Sequence, residues 1–215
     1  MVSVENLDAW SQSILKEYPY PVAAGYRKVL LASGWENRVE AALKVFEYSL
    51  QTISFNLLNQ YLLRDLDLSD PGLNQLLLDH LRRATLGTWK LMFFETLKAY
   101  RGQRDRFFVK ELYDLYWDSS RTPPIAWQKV MVPYDRLISI RNVLVHQTKP
   151  RTEAAWQALG EEGLVHLRTV LTQFAFIRDY HLLEIGTCDP DGYGYKLYRG
   201  EEITDPTDKL PLRAC

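Results

Sequence analysis

WENRVEAALKVFEYSLQTISFNLLNQYLLRDL, residues 35–66, is the longest uninterrupted helical pattern in the chain. Val39, Leu43, Phe46, Leu50, Ile53, Leu57 and Tyr61 recur at steps of three and four, which sets them along one face of a single long helix. Upstream, residues 4–17 predict a short helix that stops before Pro19 and Pro21, and Val22 to Ala32 a second that closes at Ser33-Gly34. Downstream, Ser69 or Asp70 can cap a helix with Pro71 in its first turn, running to about Leu81. Apolar periodicity continues over Thr85–Tyr100 and Phe107–Trp117, and proline then marks Ser119–Val132 as a loop. Tyr134 to about Gln147 reads as helix, Pro150 interrupts it, and Thr152–Tyr180 reads as a second long helix with Gly160 and Gly163 as weak points.

The pattern changes after Tyr180. Leu183–Thr187 and Tyr193–Tyr198 flank Asp189-Pro190-Asp191-Gly192, the signature of a β-hairpin, and Gly200–Cys215 reads as a loose tail. The expected fold is all-α, an antiparallel helical bundle with a small C-terminal β-hairpin. The expected division is a helical extension over 1–34, the bundle over 35–181, and hairpin and tail over 182–215, the last read as the stub of a further domain in a longer parent protein. No βαβ alternation appears, which excludes doubly wound folds.

Of 215 residues, 47% are hydrophobic and 25% charged, and 26 basic against 27 acidic residues leave a net charge of −1. No overall basic field marks the chain for nucleic acid, so such a role must rest on a local site. The two cysteines, Cys188 and Cys215, make neither a disulfide framework nor a zinc-ligand set. No metal and no cofactor are expected, and no phosphate-binding loop, kinase or dinucleotide fingerprint is present. The start of the chain lacks the basic and apolar regions of a signal peptide, and charge punctuates every apolar run. The expectation is a cytoplasmic protein with no membrane partner.

Chemistry concentrates in Asp135-Arg136-Leu137-Ile138-Ser139-Ile140-Arg141-Asn142-Val143-Leu144-Val145-His146-Gln147. On a helix Asn142 and His146 stand one above the other, with Arg141 about 140° round from His146. Lys149-Pro150 ends the helix at once, so His146 falls in its last turn. A guanidinium, an amide and an imidazole on one short helix suit metal-free RNA cleavage. Histidine moves protons near neutral pH, as general acid or base, and arginine stabilises charge on the phosphate without losing its own. The Arg–His spacing alone arises about once by chance in this composition, and an Asn, Asp or His directly after the arginine lowers that to roughly 0.1.

Arg141-Asn142-Val143-Leu144-Val145-His146 resembles the motif of the HEPN superfamily: arginine, a polar residue, a spacer and a histidine, near the start of a late helical hairpin. The resemblance covers roughly residues 35–181. It implies a ribonuclease, a hydrolase acting on RNA, whose composite site forms where two copies face each other, with Arg141, Asn142 and His146 as catalytic residues. It further implies a homodimer and a setting in bacterial antiviral defence or a toxin system. HEPN toxins paired with nucleotidyltransferase antitoxins carry a tyrosine two residues after the histidine. Thr148 stands there in this chain, and the resemblance does not extend to that pairing.

Other candidates are weaker in kind. Arg101, Arg104 and Arg106 form the densest positive cluster, and with Lys149 they are candidate RNA contacts, although a solvated turn explains the cluster as well. Glu47 is a candidate to hold Arg141. The aromatic run Phe107–Trp117 offers base stacking or plain core, and core is the commoner use of that spacing. His146 also fits a helix C-terminus favoured by the macrodipole, and Arg141 fits an ion pair with Asp135 or Glu47. Two functions therefore stand side by side. One is a metal-independent endoribonuclease. The other is a non-catalytic HEPN-like dimerisation or RNA-binding module of a larger protein, with a regulatory protein partner or fused domain.

Overall fold

A computed structural model describes residues 7–64, 70–127, 129–146, 151–189 and 192–204. Among these residues the protein is mostly helical, with eight α-helices and two small antiparallel sheets. The helices are α1 (Ala9–Glu17), α2 (Tyr20–Leu31), α3 (Trp35–Arg64), α4 (Pro71–His80), α5 (Leu86–Ala99), α6 (Lys110–Tyr116), α7 (Val132–His146) and α8 (Glu153–Gln173).

Helix α3 is the central element, packing against α2, α5, α7 and α8. Its predicted stripe holds, since Val39, Leu43, Phe46, Leu50, Ile53, Leu57 and Tyr61 are all buried. The helix starts are made by side chains that satisfy free N–H groups, and α1 begins at Ala9 rather than at residue 4 as expected. Asp8 accepts from Ser11 N, Asp70 from Gly72 N and Leu73 N, and Thr152 from Ala155 N. Thr85 and Thr88 close a reciprocal capping box at the start of α5. Gly34, at φ 77°, makes the left-handed turn between α2 and α3.

Several expectations need correction. The second long helix ends at Gln173 rather than Tyr180, and Ala175–Asp179 continues as a 3-10 turn, with Phe174 turned into the core. The helix expected over Phe107–Trp117 shrinks to α6. The proline-rich loop carries a short ladder of β1 (Trp117–Asp118) with β2 (Ile125–Ala126). The C-terminal hairpin is present as β3 (Leu182–Asp189) with β4 (Gly192–Arg199), its Pro190-Asp191 turn lying outside the described residues. A third strand, β5 (Glu202–Thr204), pairs with β4, so the first part of the expected loose tail is ordered.

The aromatic run is mainly core. Phe107, Tyr113, Tyr116 and Trp117 are buried and Phe108 alone of its rings is exposed. One hydrophobic cluster joins Ile14 of α1, Tyr18 at its C-terminal end, and Val22 and Tyr26 of α2 to residues from α3 through the turn after α8. Helices α1 and α2 thus share a core with the residues from α3 onward. Among the described residues no helix is long and apolar enough to cross a membrane.

Candidate functional site

Helix α7 is divided along its length. Pro133, Tyr134, Leu137 and Ile140 are buried, and Tyr134 packs edge-on against Phe46, Phe94 and Phe174. Lys90 of α5 bonds Asp135 at 2.5 Å, and Arg136 pairs with Glu162 of α8. Those contacts fix the first half of the helix and leave the second half, from Arg141 onward, at the surface.

Arg141 is half-buried, whereas Asn142 and His146 are exposed. Arg141 Nη1 donates to Asn142 Oδ1 at 3.4 Å, a long contact that orients neither group tightly. Together with Leu144 and Val145, Arg141 lines a cleft of about 700 Å³ between α7, α2, α3 and the start of α5. Lys28 of α2 and Lys44, Glu47 and Tyr48 of α3 line the same space. Asn142 stands about 100° and His146 about 140° round the helix from Arg141, and neither is part of that lining. The cleft by itself does not bring Arg141 and His146 together.

Glu47 shares the cleft with Arg141 but accepts its hydrogen bond from Lys44 at 2.7 Å. That bond raises Lys44 above the ordinary lysine range, and the nearby Arg141 charge acts in the opposite direction. Asp135 is taken by Lys90, so neither carboxylate weighed as a partner for Arg141 is bonded to it.

The arginine cluster lies elsewhere, around the turn between α5 and α6. Arg101 Nε donates to Pro124 O at 3.0 Å, and its guanidinium lies 5.5 Å from the Trp117 ring centroid. Arg104 makes a two-pronged bond to Asp114, at 2.7 and 2.5 Å, which holds the Asp114 carboxyl below the ordinary range. Arg106 is half-buried in a 3-10 turn, its carbonyl accepting from Gln60. None of the three lines the Arg141 cleft. Lys149 lies outside the described residues.

Sequence reasoning missed Lys28, Lys44, Tyr48 and Arg151. Lys44 and Tyr48 are four apart on α3, a spacing that marks one face, but a polar face looks the same whether it meets water or a cleft. Arg151 donates from Nη2 to the Val143 carbonyl at 2.6 Å and lies 5.0 Å from the Trp156 ring centroid. It thereby satisfies one of the last carbonyls of α7 from outside the helix. Among the described residues no cluster of three or more His, Cys, Asp or Glu side chains forms a metal site.

In comparisons with known families, curated proteins and solved structures, no match to this chain is found.

Proposed function

We propose that the protein is a HEPN-type endoribonuclease that works as a homodimer, with His146 as general acid or base and Arg141 stabilising the phosphate. The observation that carries this reading is the placement of Arg141, Asn142 and His146 together on the water-accessible end of α7. Arg141 there borders a nucleotide-sized cleft that holds two further cations. Neither Arg141 nor His146 is consumed by an internal ion pair among the described residues, which is the condition a phosphodiester site requires. The cut needs no metal because the imidazole handles the proton of the 2′-hydroxyl or of the leaving oxygen, and the guanidinium meets the phosphorane charge. A second copy of α7 supplies what the single cleft lacks, an imidazole opposite Arg141. A role in bacterial antiviral defence or as a toxin follows by family analogy alone.

The test is to incubate the purified chain with end-labelled RNA in EDTA. Cleavage that leaves cyclic phosphate ends, and falls by about 10²–10⁴-fold in His146→Ala and in Arg141→Ala, is the expected result. Equal cleavage by wild type and His146→Ala would refute it.

A second reading, a non-catalytic HEPN-like RNA-binding or dimerisation module, is favoured by one observation: His146 does not share the lining of Arg141's cleft. Retention of RNA without any cleavage, unaffected by His146→Ala, is its expected signature.

A further inference from the structure

The cleft holds more than a phosphate contact requires. Its cations come from three helices: Lys28 on α2, Lys44 on α3 and Arg141 on α7. Beside them stands Tyr48 of α3, a residue that is 37% exposed. Gly25 of α2 faces its ring. A Cβ built there would lie 3.5 Å from Tyr48 Cδ2, an ordinary contact, and 3.1 Å from Val45 Cγ2, so the ring edge lies close beside α2. Leu144 and Val145 form an apolar wall from α7, and Val145 is 58% exposed.

A cationic end beside an open aromatic face fits a ligand that is phosphate at one end and flat at the other. The volume of about 700 Å³ also suits a ligand of nucleotide size. A simple anion leaves the Tyr48 face and the apolar wall unused, and an apolar ligand leaves the Arg141 charge unmet. Glu40 and the Lys44–Glu47 bond moderate the local charge, so the phosphate is met chiefly by Arg141 with Lys28 and Lys44 in support.

We propose that this cleft is a nucleotide subsite in which Arg141 and Lys44 hold a phosphate and Tyr48 stacks the adjoining base. The proposal rests on the ribonuclease reading only for its biological use: the subsite would grip the nucleotide next to the scissile bond. Stacking of this kind is tolerant of base identity, because every base offers a flat face.

The experiment compares adenosine 5′-monophosphate with ribose 5-phosphate, two ligands that differ by the base, in NMR titrations of the full chain. Wild type is expected to bind adenosine 5′-monophosphate more tightly. Tyr48→Ala and Tyr48→Leu should reduce that preference by roughly 5- to 100-fold, and Tyr48→Phe should keep it. Arg141→Ala should weaken both ligands alike. The leucine variant keeps bulk over Gly25, so loss of the preference there does not report unfolding.

Equal affinity for the two ligands, no saturable binding of either, or a preference that survives Tyr48→Leu would each overturn the subsite. RNA cleavage is scored separately. Cleavage without a base preference removes the subsite and leaves the nuclease, and a base preference without cleavage does the reverse.

Discussion

Gly160 and Gly163 share a helix and a type of neighbour, yet single substitutions there should act in opposite directions. A Cβ at Gly160 would meet Trp35 at 2.4 Å, while one at Gly163 would meet Ile140 Cδ1 at an ordinary 3.6 Å. Gly160→Ala should lower stability by about 1–3 kcal/mol through overpacking, partly offset by helix propensity. Gly163→Ala should raise it by roughly 0.5–1 kcal/mol. Urea midpoints of the two variants check both signs. Sequence reading takes the two glycines as equal weak points because the partner of Gly160 is a ring at the start of α3, far away in the chain. Arg141, Asn142 and His146 are legible for the opposite reason: all three lie within one motif on one helix. Tyr18 gives a prediction in pH. Its hydroxyl donates to Leu171 O at 2.8 Å, and burial pushes its pKa up to about 12, with Arg178 opposing and Glu17 adding. The fold therefore prefers the protonated phenol. That contribution is complete below the unfolded value of about 10 and is lost as pH rises through about 12. Urea melts between about pH 9 and 12 should show this loss of stability, with a shallower slope in Tyr18→Phe.

Among the elements, the C-terminal sheet docks on the helices through a close backbone approach at Gly200. Gly200 N donates to Tyr18 O at 2.8 Å, and Pro19 bridges to Arg199, so β4 and β5 dock at the junction of α1 and α2. Gly200 has φ 58°, and a Cβ on it would lie 2.6 Å from Leu15 O. Gly200→Ala should cost about 1–2 kcal/mol from the left-handed conformation alone, with the clash in addition. The expected readout is faster proteolysis within residues 182–204 while the helical circular dichroism is kept. The cap at Asp70, the stop at Gly34 and the α3 stripe are legible because their causes lie within a few residues. The third strand is not legible, because β5 has little pattern of its own and forms by pairing with β4. The end of α8 is misread for a related reason: the apolar periodicity runs on past Gln173, but Phe174 is drawn into a cluster with Phe93, Tyr134 and Phe176.

At the scale of the molecule, helices α1 and α2 share one core with the bundle, and the cleft of Arg141 exists because α2, α3 and α7 meet there. No periodicity argument supplies that meeting, which joins residues from Gly25 to Val145. If two copies complete the nuclease site, specific activity should rise with protein concentration and level off once the dimer is populated. Cleavage assays over a dilution series, beside sedimentation of the same samples, check this. A constant specific activity alongside a monomer by sedimentation would sink the composite site. The Arg151 contact has a consequence of its own. Because a residue leading into α8 latches the Val143 carbonyl, the tautness of the final α7 turn is set from across the interhelix connection. Unhooking that latch with Arg151→Ala should quicken amide exchange at Val143–His146 and leave Leu137–Ile140 as slow as before, so the reach of His146 is adjustable without disturbing the helix that carries it.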